Sequence, residues 1–223
     1  IVQYQSKIPQ GLYEALKQDK PIVFFLNPPY ATSSSDFGKG TDNTKGTGSG
    51  DTAVKKNMVR EGMDNASKNL YAQFLYRVMR IKQVFHLTHC HIGLYSPPLF
   101  LTGPAWAVFR KHFLKEFAYL NACQFKASHF ADVSDSWGIS FSIWKSGETT
   151  NKESFSFELI DEVEGEIQSI GRKNVYNIDG KNSAKEWIKQ QIKGISVEER
   201  PTFSSALSVK EGKNCNTKIS RNA

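Results

Sequence analysis

Apolar positions recur along the chain in different rhythms, and each rhythm predicts an element. Leu70, Phe74, Leu75, Val78 and Ile81 fall at helical spacing, with Arg77, Arg80 and Lys82 on the polar side, so 66–85 is predicted as a helix. A shorter helix is expected over 9–19, with Pro9 near its start and Leu12, Ala15 and Leu16 on one face. A third is expected over 104–117, where Pro104 suits the first turn and Phe109, Phe113 and Phe117 follow at four-residue intervals. "PIVFFL" (21–26) is apolar without alternation, which predicts a strand covered on both faces. "HCHIGLYS" (89–96) and "ACQFKA" (122–127) predict two more strands, the first cut off by Pro97 and Pro98. "WGISFSIWKSG" (137–147) alternates, with Ile139, Phe141 and Ile143 on one face; "SFSFELIDE" (154–162) alternates again, so 137–161 reads as a hairpin. Helices alternating with strands and then a hairpin give an α/β class, a mostly parallel sheet with an antiparallel terminal hairpin.

Polar stretches separate these elements. Residues 31–52 are almost wholly Ser, Gly, Thr, Asp and Asn, and predict a long mobile loop. After the hairpin only "SAKEWIKQQI" (183–192) is amphipathic, and no internal repeat is visible. We therefore divide the chain into 1–150 and an appendage, 151–223.

Composition sharpens the picture in three ways. The 223 residues carry a net charge of +7, unevenly: 1–150 hold 17 Lys/Arg against 11 Asp/Glu, and 151–223 hold 12 against 11. A basic larger part suits a polyanionic partner, although many soluble proteins are mildly basic. Cys90, Cys123 and Cys215 are few and widely spaced, which reads as reduced thiols of a cytoplasmic protein rather than a disulfide framework. No apolar run approaches the ~20 residues of a membrane span, and no membrane partner is expected. The first residue is Ile, as in a piece of a longer protein.

The chemistry concentrates where the first predicted strand stops, at Asn27-Pro28-Pro29-Tyr30. In open α/β sheets ligands bind at the carboxyl ends of strands. Asn27 offers a side-chain carbonyl there, and Pro28 a backbone carbonyl outside any ladder. Two fixed acceptors can take both hydrogens of one exocyclic NH₂ group and aim the nitrogen lone pair at an electrophile. Tyr30 supplies a flat face for a planar base, worth about 1–3 kcal/mol in stacking.

NPPY after an apolar strand resembles the motif of amino-directed methyltransferases that use S-adenosylmethionine. The elements that follow, "NLYAQFLYRVMRI", "IGLYSPPLFLTG", "FRKHFLKEF" and "WGISFSIWK", are similar to the second half of a DNA adenine-N6 methyltransferase of the restriction-modification type. The resemblance covers roughly 20–147. It implies an incomplete Rossmann-like methyltransferase sheet and double-stranded DNA as substrate. It further implies a target adenine flipped out of the duplex onto Tyr30, its amino group held by Asn27 and Pro28, and direct displacement without a metal. Restriction or specificity subunits are further partners of such enzymes, and the appendage is expected to lead into a target-recognition region.

One departure bears on the cofactor. Only about 20 residues precede the catalytic strand, too few for the βα units that carry a cofactor loop. The glycines of "DFGKGTDNTKGTGSGD" (36–51) follow the motif instead, and read as flexible loop. The cofactor-binding half is therefore expected upstream or on another subunit. Two alternatives stand beside this reading: a glutamine-N5 protein methyltransferase, which shares NPPY, and a non-catalytic nucleic-acid-binding module with a vestigial site.

Other candidates are weaker. Phe100, after the second double proline, is a candidate lining of the target pocket. Lys55, Lys56 and Arg60, with Lys39 and Lys45, make 31–65 a basic loop able to close over DNA. Arg77, Arg80, Lys82, Arg110, Lys111 and Lys115 are candidate phosphate contacts or ordinary solvated helix faces. His86, His89, Cys90 and His91 invite a zinc reading, but on a strand Cys90 points away from its two neighbours, and no metal is expected. Trp137 reads as core.

Overall fold

The computed structural model describes residues 8–30, 52–129, 138–150, 153–177 and 190. The chain divides into two units, Ile1–Asn177 and Ile178–Ala223, and every helix and strand named here belongs to the first. The glycine-rich stretch 36–51, Lys39, Lys45, Trp137, nearly all of 183–192 and Cys215 lie outside the described residues.

Helix α1 (Gln10–Lys17) starts at Pro9, whose φ of −52° suits a helix entry, and buries Leu16. Asp19 turns the chain with a left-handed φ of 47° into β1 (Ile22–Leu26). α2 (Ala53–Arg60) is capped by the Thr52 hydroxyl, which accepts from the Lys55 amide at 3.0 Å. A short turn, α3 (Asp64–Ser67), leads into α4 (Leu70–Phe85). Then follow β2 (Cys90–Ser96), α5 (Leu99–Thr102), a 3₁₀ turn (Pro104–Trp106), α6 (Ala107–Glu116), β3 (Phe117–Lys126), β4 (Gly138–Ser146), β5 (Ser154–Val163) and β6 (Glu166–Tyr176).

The six strands form one sheet in the order β1-β2-β4-β3-β5-β6. β1 and β2 pair in parallel, as do β3 and β5; β4 runs antiparallel between β2 and β3, and β6 antiparallel to β5. β1, β2, β3 and β5 therefore point the same way, and their carboxyl ends share one edge. The α/β class stands, but the described sheet is mixed rather than mostly parallel, since three of its five strand pairings are antiparallel, and β4 and β5 do not form the expected hairpin. β4 enters the middle of the sheet, and the hairpin partner of β5 is β6, which the alternation rule missed because Glu166 to Asn174 are all exposed.

The core lies on one face, between the sheet and α4 to α6. Phe109 and Phe113 of α6 stack at 6.0 Å, and Phe113 meets Trp144 of β4 edge-on at 5.0 Å. Phe117, expected on the same helix, is the first residue of β3 and packs 5.3 Å from Phe113. Phe74, placed by periodicity in the buried stripe of α4, is 46% exposed; Tyr71 and Met79 are buried instead. Arg110 is buried, donating to the carbonyls of Phe100 (3.3 Å) and Gly103 (2.9 Å), so it pins a turn and is no phosphate contact.

The opposite face is open among the described residues. β1 alternates: Ile22, Phe24 and Leu26 are half-buried, while Val23 and Phe25 are 68% and 66% exposed. The expectation of a strand covered on both faces is not met. On β4 the assignment is the reverse of what hydrophobicity suggests. Ser140, Ser142 and Trp144 face the helices and are buried, while of the expected stripe Phe141 and Ile143 turn to the open side and Ile139, at its end, is buried.

Candidate active site at the carboxyl end of the first strand

The β1–β2 register ends at Leu26 opposite Leu94, so residues 27–30 leave the sheet just past its last pair. Two consecutive prolines remove two backbone donors, which stops the ladder there. Asn27 is exposed, Pro28 buried, Pro29 exposed and Tyr30 half-buried. Pro28 thus anchors the turn while the amide of Asn27 stands in the open. The Pro28 carbonyl lies beyond the last ladder pair, as a fixed second acceptor requires. β2 runs two residues further, bringing Tyr95 and Ser96 beside the turn.

The Tyr30 hydroxyl donates to Asn27 Oδ1 at 2.9 Å. Burial pushes this phenol up to about 12, with Tyr95 adding to the rise, so it is a neutral donor throughout the physiological range. Tyr95 connects the turn to an aromatic patch on the open face. Its ring lies 4.7 Å from Phe141, 6.0 Å from Phe25 and 6.4 Å from Phe125. Gly93, opposite Phe25 in the register, lets these rings close: a Cβ there would stand 3.2 Å from both Phe25 and Phe141. Sequence reasoning missed Tyr95 and Phe125 as neighbours of the site. The available signal was the parallel register of "FFLNPPY" with "IGLYSPP", which puts Tyr95 next to the turn.

The remaining candidates are dispersed. Lys55, Lys56 and Arg60 lie on helix α2 rather than in a loop, with Lys56 and Arg60 exposed. Phe100 is 1% exposed, packed edge-on against Tyr71 at 6.4 Å and Phe113 at 5.6 Å. Its ring fills the core and is not open to a ligand, because α5 turns it under the sheet. Of the zinc candidates, His89 pairs with Asp19 at 3.0 Å and Cys90 is buried beside the Ser146 hydroxyl at 2.9 Å. A cavity of about 440 Å³ opens between α1, α2 and α4, lined by Leu12, Tyr13, Phe24, Tyr76 and Phe85 among others; none of residues 27–30 lines it. Among the described residues no helix is long and apolar enough to cross a membrane.

Neither a family model nor a curated protein matches the sequence. Among solved structures the chain is similar to a chain of a type I R-M system (17% identity, TM-score 0.41, 79% of this chain and 32% of that one). It is also similar to a modification subunit of a putative type I restriction enzyme from Vibrio vulnificus YJ016 (15%, 0.37, 70% and 28%). A third is the type IIG restriction endonuclease BpuSI (15%, 0.38, 76% and 20%). The chain spans a third or less of each. A likeness this distant assigns neither fold nor activity, and the functional reading rests on the geometry of the turn.

Proposed function

We propose that this chain is the catalytic half of an adenine-N6 DNA methyltransferase of Rossmann-like fold, taking its methyl group from S-adenosylmethionine. The observation that carries the reading is the turn 27–30: an exposed amide carbonyl, a rigid proline carbonyl outside the ladder and an aromatic ring, together at the carboxyl end of a parallel strand. Such a turn fits an exocyclic amino group attached to a planar ring. Asn27 and Pro28 accept its two hydrogens, Tyr30 stacks on the ring, and the nitrogen lone pair is left to attack the methyl group in line. When bound, the cofactor would supply that methyl group, its sulfur–methyl bond breaking and its sulfur leaving as a neutral thioether. Asn27 and Pro28 hold the amino group by its hydrogens, and the proton lost from nitrogen would pass to water.

The open face supports the expectation that the cofactor-binding half lies elsewhere. Val23, Phe25, Phe141 and Ile143 form an apolar surface continuous with the turn, while the small polar Ser140 and Ser142 face the helices. A layer covering this face would stand beside Asn27, where a methyl donor has to sit. Double-stranded DNA is the proposed substrate, and restriction or specificity subunits are proposed partners. Lys56 and Arg60 are proposed to meet phosphates from α2.

Product analysis tests the reading. A polypeptide joining this chain to its cofactor-binding half is incubated with plasmid DNA, protein and labelled cofactor, and both macromolecules are hydrolysed. The expected product is N6-methyladenine. Methylated glutamine would favour the protein-directed alternative, and cofactor binding with no product would favour a vestigial module.

A further inference from the structure

Asn27 Oδ1 already has a partner within its own turn. The Tyr30 hydroxyl donates to it at 2.9 Å, and both groups belong to the turn that the proposed function uses. An amide oxygen asks for a hydrogen donor, and the hydroxyl supplies what the substrate's amino group would bring. We propose that the Tyr30 hydroxyl is a stand-in for the substrate amino group, so that the clamp is closed on itself at rest and opens only when a planar group carrying its own donor displaces it. This rests on the adenine reading and assigns Tyr30 a second role. Its ring serves the bound state by stacking, and its hydroxyl serves the free state by competing.

The surroundings fit such an exchange. Asn27 is exposed, so an incoming group reaches its amide from solvent. Tyr30 is half-buried, and its hydroxyl lies close enough to Tyr95 for that phenol to raise its pKa. The hydroxyl stays protonated at neutral pH, so competition does not switch off in the working range. A hydroxyl–carbonyl bond of this kind is worth a modest net amount, so its removal should tighten binding by roughly 2- to 10-fold. Removing the whole ring should instead weaken binding, because stacking is lost.

The test measures binding of the 223-residue chain to single-stranded oligonucleotides bearing adenine, or purine without the amino group, at one position. Wild type should prefer adenine. Tyr30→Phe should bind the adenine oligonucleotide roughly 2- to 10-fold more tightly and the purine oligonucleotide about as wild type does, and Tyr30→Ala should bind both more weakly than wild type. In the free protein, Tyr30→Phe should also move the side-chain amide NMR signal of Asn27. If Tyr30→Phe binds adenine no better than wild type, or leaves that signal in place, the stand-in role is wrong although the adenine site stands. If wild type does not distinguish adenine from purine, the adenine reading fails and takes the stand-in role with it.

Discussion

Asp19 holds the amino-terminal edge of the sheet together. From its left-handed turn it accepts from the Thr88 hydroxyl, the Thr88 amide (2.9 Å) and the His89 amide (3.3 Å), and so joins the start of β1 to that of β2. The Thr88 hydroxyl, first among these, draws the carboxyl well below its usual range. A lowered folded-state value means stability that is present above the unfolded value, near pH 3.9, and lost as pH falls toward the folded one. Wild type should therefore melt above Asp19→Asn at about pH 5 and higher, and that advantage should shrink below about pH 4. An advantage unchanged at pH 3 would contradict this. At the same scale, the turn at 27–30 that ends β1 was legible in the sequence because proline acts through local geometry. Phe100 and Arg110 were not, because their burial is decided by helices that sequence spacing does not locate.

At the scale of elements, α6 and β4 carry the core through Phe113 and Trp144. Phe113→Ala should cost about 3–5 kcal/mol, read by urea denaturation, because its ring touches Phe100, Phe109, Phe117 and Trp144 and leaves a cavity they cannot fill. A loss under about 1 kcal/mol would mean that the core closes over the gap. The existence of α1, β1, α4, β2 and β4 followed from apolar rhythm. Pairing did not, because rhythm is local while the place of β4 between β2 and β3 is set by contacts far apart in the chain. Nor did rhythm tell which face of β4 is covered: Ser140 donates to the Ser96 carbonyl at 2.8 Å and Trp144 to Ser142 Oγ at 2.9 Å, so a polar-looking face is satisfied internally. Helix α2 was hidden in a stretch read as loop because Lys55, Lys56 and Asn57 dilute the apolar signal of Val54 and Met58.

At the largest scale, the sheet face that carries Val23 and Phe25 is open among the described residues, and it is the proposed seat of the cofactor-binding half. Phe25→Ser should leave the stability of the 223-residue chain nearly unchanged, since the ring is largely exposed, yet weaken its association with that half. Equal association measured by calorimetry would exclude this face as the seat. The central claim is that Asn27 holds the amino group that accepts the methyl. Its most direct test is transfer of labelled methyl groups to plasmid DNA by the polypeptide that unites both halves, wild type against Asn27→Ala. Wild type is expected to label the DNA, and Asn27→Ala to lose at least about 100-fold in labelling with unchanged cofactor affinity. Equal labelling by the two proteins, or label confined to protein, would contradict it.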